Sequence, residues 1–248
     1  MRIKCISDVH FEFHRDGGER FAKELPNANI DTLILAGDIT TWQTGYEAIR
    51  ILCDRFPNVI YVLGNHDHYH IRSERLYALI EKELVSQRSN LHFLNNRRIE
   101  IDGIGFAGTT LWIPWRQESW MLQREINDFR YVKDGAHWIY NQNTEAVQFL
   151  DKFVAKGDVV ITHHLPSWQL ISEEFAGEPT NIFYADRLDS FIERKQAAYW
   201  FHGHSHESCQ IVIGDTMCVR NPYGYQGVTE WDGQLNKNFD PDFFVDLP

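Results

Sequence analysis

Residues 58–67 read NVIYVLGNHD. From Val59 to Leu63 the run is apolar without a break, and most of it is β-branched or aromatic. A run this short and continuous describes a strand buried on both faces, the kind found inside a parallel sheet. The sequence then turns abruptly to Gly64, Asn65, His66 and Asp67. In open α/β sheets the ligands bind beyond the carboxyl ends of such strands, so this polar cluster stands where a site would form.

The same arrangement recurs on either side. RIKCIS (2–7) leads into DVH, with Asp8 and His10. DTLILAGD (31–38) ends on Asp38, DVVITHH (158–164) on His163 and His164, and AAYWFHGHSH (197–206) on His202, His204 and His206. Between the early runs, segments around 19–25, 45–56 and 73–86 carry helical patterns. In the last, Leu76, Leu79, Ile80 and Leu84 recur at helical spacing, with Ser73 as N-cap. Strands alternating with helices read as βαβ units. Two further stretches alternate as hairpins: residues 97–112 around Asp102-Gly103 and residues 208–222 around Gly214-Asp215. The expectation is therefore a mixed pair of sheets, not one parallel sheet.

Imidazoles at alternate positions 202, 204 and 206 suit a metal, but by themselves they suit a core equally well. Matching groups on other strands decide between the two. Five strand ends bearing carboxylate, imidazole and amide groups are hard to attribute to chance.

The chain has 248 residues, 43% of them hydrophobic and 14% aromatic, enough to fill a large core. It has no Gly/Ser/Pro linker and no repeat, so a single domain over 1–248 is expected. The formal net charge of −11 argues against extended nucleic acid as a partner, while bound metal would still attract a phosphate substrate. No apolar run approaches the ~20 residues of a membrane helix. An acidic residue follows the start too soon for a signal peptide. Cys5, Cys53, Cys209 and Cys218 form no C-x-x-C pair and read as reduced. A cytoplasmic protein is expected.

In this order, DVH, GD, GNHD, THH and GHSH resemble the motifs of the calcineurin-like metallophosphoesterases. The resemblance spans residues 8 to 206 and implies an α/β/β/α sandwich of four layers, with a dinuclear metal centre at the strand ends. By motif, Asp8, His10 and His206 would hold one ion, Asn65, His163 and His204 the other, and Asp38 would bridge them. His163 leads its motif and is taken over His164. The resemblance also implies hydrolysis of a phosphate ester by a bridging hydroxide, with His66 as general acid. The set mixes nitrogen and oxygen without thiolate, which suits manganese, iron or zinc. His202 reads as a buried or outer-shell histidine, and His68 and His70 as loop or rim residues. Asp67 either orients an imidazole or caps the loop.

The Asp-Arg-Gly of the protein serine/threonine phosphatase branch is absent; GDITTWQTG stands there. The resemblance therefore runs to small bacterial and phage-type members, and implies a small phosphodiester or nucleotide-type substrate. The alternatives are a phosphomonoesterase and a non-catalytic scaffold of the same fold. Residues 111–140, rich in tryptophan, form an insertion that could line the substrate rim, with most tryptophans in its core. Within NDFR (127–130), Asn127 and Arg130 are candidate substrate contacts, as is Tyr223 in NPYGY (221–225). The acidic tail from Glu230 to Asp246 reads as a surface-packed terminus.

Overall fold

The computed structural model of the chain describes residues 1–226 and 235–247. The first sheet contains β1 (Arg2–Ile6), β2 (Thr32–Ala36), β3 (Asn58–Val62) and β4 (Leu91–Phe93), all parallel. The NVIYV run supplies β3, an interior strand. The second sheet contains β5 (Arg97–Ile101), β6 (Ile104–Thr109), β7 (Val159–Thr162), β8 (Tyr199–Phe201), β9 (Cys209–Ile213) and β10 (Thr216–Arg220). Its order is β5-β6-β7-β8-β10-β9. The inner pairs are parallel, and the hairpins β5–β6 and β9–β10 make the antiparallel edges, as the two Gly-containing turns predicted.

The period-two geometry of a strand explains why the central runs read as unbroken apolar sequence. On β2 and β3, Leu33, Leu35, Val59 and Tyr61 enter one core, while Ile34, Ala36, Ile60 and Val62 enter another. The first core is completed by α2 (Tyr46–Arg55) and α3 (Ser73–Glu83), with Ala22 of α1 (Glu19–Glu24). The second is shared with the facing sheet through Phe106, Val159, Ile161, Phe201 and Val219. Beyond that sheet, Ala107, Val160, Trp200 and Cys218 pack on α6 (Gly135–Phe153) and α7 (Asp189–Lys195). The layers are thus α/β/β/α.

Two expectations need correction. Ser73 is the first residue of α3 and not its cap; the preceding Arg72 makes no side-chain cap bond. Asp134, distant in sequence, accepts from both the backbone N–H and the hydroxyl of Ser73, each at 2.8 Å. The tryptophans of 111–140 divide. Trp112 is buried and Trp138 packs beside it with Tyr69, Val132 and Phe183, but Trp115 and Trp120 are each 64% exposed. That segment carries α4 (Ser119–Leu122) and α5 (Asp128–Tyr131), helices too short to cover both. The described part of the tail packs against the first sheet. Val245–Asp246 forms β11, antiparallel to β1, and the Pro241 carbonyl accepts from buried Lys4. Residues 230–234 of the tail lie outside the described residues.

Candidate metal centre

Each ligand candidate lies just past a strand that ends at the same rim. Asp8 and His10 follow β1, Asp38 follows β2, Asn65 follows β3, His163 follows β7, and His204 and His206 follow β8. The first four therefore come from one sheet and the last three from the other. Asp8, His10, Asp38 and His204 all have left-handed backbones, with φ of 52°, 52°, 53° and 70°. Such conformations cost of order 1 kcal/mol each outside glycine and gather at functional sites. Two glycines let the loops close. A Cβ on Gly64 would stand 2.1 Å from Asp38 Oδ1, and one on Gly203 would stand 2.7 Å from Asp8 Oδ2.

The donor atoms converge. Those of Asp8, His10 and His206 lie within 4.8 Å of one another, as do those of Asp38, His163 and His204. A third trio, His10, Asp38 and His66, shares one member with each. Asp38 Oδ2 is 4.0 Å from His10 Nε2 and 3.4 Å from His163 Nε2. Asn65 Oδ1 is 3.0 Å from both His163 Nε2 and His204 Nδ1.

The surroundings settle which atom each residue presents. His163 Nδ1 donates to the Ala36 carbonyl at 3.0 Å, so Nε2 is the atom that faces Asn65 and Asp38. The Asn65 amide nitrogen donates to Asp128 Oδ1 at 2.8 Å, which turns its oxygen inward. Tyr69 donates to the same carboxylate oxygen at 2.6 Å. His10 Nδ1 faces Glu12, leaving Nε2 buried without a hydrogen-bond partner. An unpartnered buried nitrogen aimed at carboxylates, within a set of imidazole, carboxylate and amide donors, fits a metal ion.

Electrostatics agree. Burial alone would push the Asp38 acid up, but the surrounding imidazoles, His163 foremost, hold it well below its ordinary value. Burial, the largest single influence, would lower the His163 and His66 imidazoles, but the groups around them together outweigh it, Asp38 with Asp8 at His163 and Asp38 with Glu12 at His66, and both are pushed up to about 9. A concentrated negative potential of this kind attracts cations.

The remaining candidates fall into place. His66 is 13% exposed at the rim, its backbone N–H donating to Asp38 Oδ1 at 2.8 Å. Asp67 touches no imidazole. It accepts from the backbone N–H groups of Gly64 and Asp38 and from the Tyr61 hydroxyl, so it caps the loop. Burial and the nearby Asp38 carboxylate push its acid up to about 8. His164 points away, its Nδ1 donating to the Thr110 carbonyl, and its ring lies 4.3 Å from that of His204. His202 is buried beside Cys209. His70 is exposed, but His68 is fully buried against Trp112 and Trp138, not at a rim.

Asn127 and Arg130 are exposed, and neither is brought to the ligands. Asp128, between them, is the residue of NDFR that reaches the centre. Tyr223 packs among His14, Phe21 and Phe239. In the same motif, Tyr225 stacks on His10 at 4.3 Å and lies 3.4 Å from His66 Nε2. Arg116 faces Asp186 at 3.6 Å. Sequence reasoning named NDFR and NPYGY but not Asp128 or Tyr225 within them, and not Glu12 just past DVH. Glu12, an acid two residues after the candidate ligand His10, carried the clearest local signal.

Known proteins share this architecture. The phosphopantetheinyl hydrolase of Mycobacterium tuberculosis superposes with a TM-score of 0.68 at 15% identity, covering 90% of this chain and 89% of that one. The TT1561 protein of Thermus thermophilus does so with a TM-score of 0.62 at 13% identity, covering 89% and 88%. In sequence, an uncharacterized protein of Acanthamoeba polyphaga mimivirus is 25% identical over 293 residues, covering all of this chain and 97% of that protein. A UPF0046 protein of Caenorhabditis elegans is 27% identical over 232 residues, covering 88% of this chain and 68% of the relative. The family described as calcineurin-like phosphoesterase matches residues 1–208, a span that ends two residues beyond the last ligand candidate, and the chain belongs to that family.

Proposed function

We propose that the chain is a dinuclear metal-dependent phosphoesterase acting on small phosphodiester or nucleotide-type substrates, with His66 as general acid. One observation carries this reading: donor atoms from both sheets converge around the single carboxylate of Asp38. Asp8, His10 and His206 would hold one ion, Asn65, His163 and His204 the other, and Asp38 would serve both. Bound there, the ions would supply Lewis acidity toward phosphoryl oxygens and a nucleophile drawn from water near neutral pH.

The chain's own residues supply orientation and a proton. Asn65 offers a neutral oxygen, which leaves the centre more positive than a third carboxylate would, and so more attractive to a phosphate ester. His66 turns Nδ1 toward Glu12, so the proton for the leaving oxygen comes from Nε2, beside Tyr225. Asp67 holds the loop that carries His66 and makes no proton transfer. Manganese, iron and zinc all suit this donor set. Cysteines outside any disulfide suit a reducing compartment, which we take to be the cytoplasm.

The test uses chelator-stripped protein refilled separately with manganese, iron, zinc or nickel. Hydrolysis of bis(p-nitrophenyl) phosphate and p-nitrophenyl phosphate is then measured. Turnover restored by metal and faster on the diester is the expected result. Faster monoester turnover would replace the diester reading with a phosphomonoesterase. Two ions bound per chain without turnover on either ester would overturn the enzymatic reading for these substrate classes.

A further inference from the structure

We propose that Glu12 is a positioning residue that orients two imidazoles at once, ligand His10 and acid His66. The proposal rests on the phosphoesterase reading above. Glu12 lies in a turn of 3-10 helix, Phe11–Phe13, entered through the left-handed backbone of His10. Its Oε1 is 3.2 Å from His10 Nδ1 and 3.4 Å from His66 Nδ1. Its side chain is only 11% exposed, and its second oxygen is buried without a hydrogen-bond partner. The two rings stand 4.5 Å apart at 68° to each other, so one oxygen meets an edge of each.

An ionised carboxylate only accepts, so each contact requires the N–H on Nδ1. That assigns both outward atoms. His10 must present its Nε2 lone pair, the atom that faces Asp38. His66 must present Nε2 on the open side, where the Tyr225 hydroxyl stands. Tyr225, stacked on His10, closes the arrangement from above the ring. A carboxylate shared in this way couples the two functions, because a shift that improves its contact with one ring lengthens its contact with the other.

The experiment compares wild type, Glu12→Gln, Glu12→Asp, His66→Ala and the Glu12→Gln/His66→Ala double variant. Mn²⁺ binding is measured by calorimetry and folding by thermal melting. Rates at saturating Mn²⁺ are measured on two diesters, one losing p-nitrophenolate and one losing an alkoxide. Glu12→Gln is expected to weaken Mn²⁺ binding about 10–100-fold. It is also expected to slow the alkyl ester at least ~10-fold more than the aryl ester, since only the poorer leaving group needs the proton. Glu12→Asp should recover part of the binding, and the double variant should be no slower than His66→Ala alone, because the two residues act as one unit. If His66→Ala is selective for the alkyl ester but Glu12→Gln binds Mn²⁺ like wild type and slows both esters alike, the role of Glu12 is overturned and the acid stands. If His66→Ala slows both esters alike, the general-acid reading falls, and the His66 half of this proposal falls with it.

Discussion

Asp128 reacts with nothing in the proposed chemistry, yet it decides which way Asn65 faces. Its carboxylate accepts from the Asn65 amide and from Tyr69, both in a buried setting. With Asp128→Ala the amide loses its anchor and two buried donors lose a partner. We expect Mn²⁺ affinity to fall about 10–100-fold, as outer-shell losses do. Stability should fall by about 1–3 kcal/mol, the usual cost of stranding buried polar groups. Calorimetric metal titration and denaturant melts check the two effects separately. The same residue marks the limit of what could be read in advance. The ligand candidates stood out because strand, turn and donor lie within a few consecutive positions. The partners that aim them do not. Asp128 meets Asn65 across 63 positions and Tyr225 meets His66 across 159, so only the folded chain brings them together.

At the scale of elements, the apolar runs placed β1, β2, β3, β7 and β8, because strands buried on both faces leave few polar residues to blur the pattern, Lys4 of β1 being one. The two Gly turns placed the hairpins. Helix starts were harder, since a cap need not come from the adjoining residue. The first turn of α3 is tied to Asp134, on the approach to α6, through two contacts to Ser73. The Ser73 hydroxyl, donating there, accepts from His68 Nδ1 at 3.0 Å. Asp134→Ala should therefore cost about 1 kcal/mol, in the range of a lost helix cap. For a chain of this length that lowers Tm by about 2–4 °C, readable by scanning calorimetry.

Across the whole molecule, the four layers followed from the strand pattern and the family resemblance together, whereas the short edge strand β11 depends on where the tail returns. The cysteines provide a probe of integrity at this scale. Cys5, Cys53 and Cys218 are buried, and Cys209 lies partly buried against His202. Burial pushes the Cys53 and Cys218 thiols up to about 12 and raises those of Cys5 and Cys209 as well. At pH 8 a thiol of that kind is ionised in only about one molecule in ten thousand. Ellman's reagent should accordingly find no rapidly reacting thiol in the native protein and four after denaturation. Fast labelling of the native form would contradict the packing.

The two sheets meet through Ile34, Ile60, Phe106, Val159 and Phe201, an apolar seam with no directional preference of its own. Among the polar contacts that cross it are those of His163 to the Ala36 carbonyl, of the His204 backbone to Asp8, and of Asn221 to the Cys5 carbonyl at 3.2 Å. These contacts act as alignment pins, and the seam acts as the shim between them. A methyl group added to or taken from Val159 is thus more than a change in core volume. It would move the strand that His163 follows, and with it the 3.4 Å gap between His163 and Asp38.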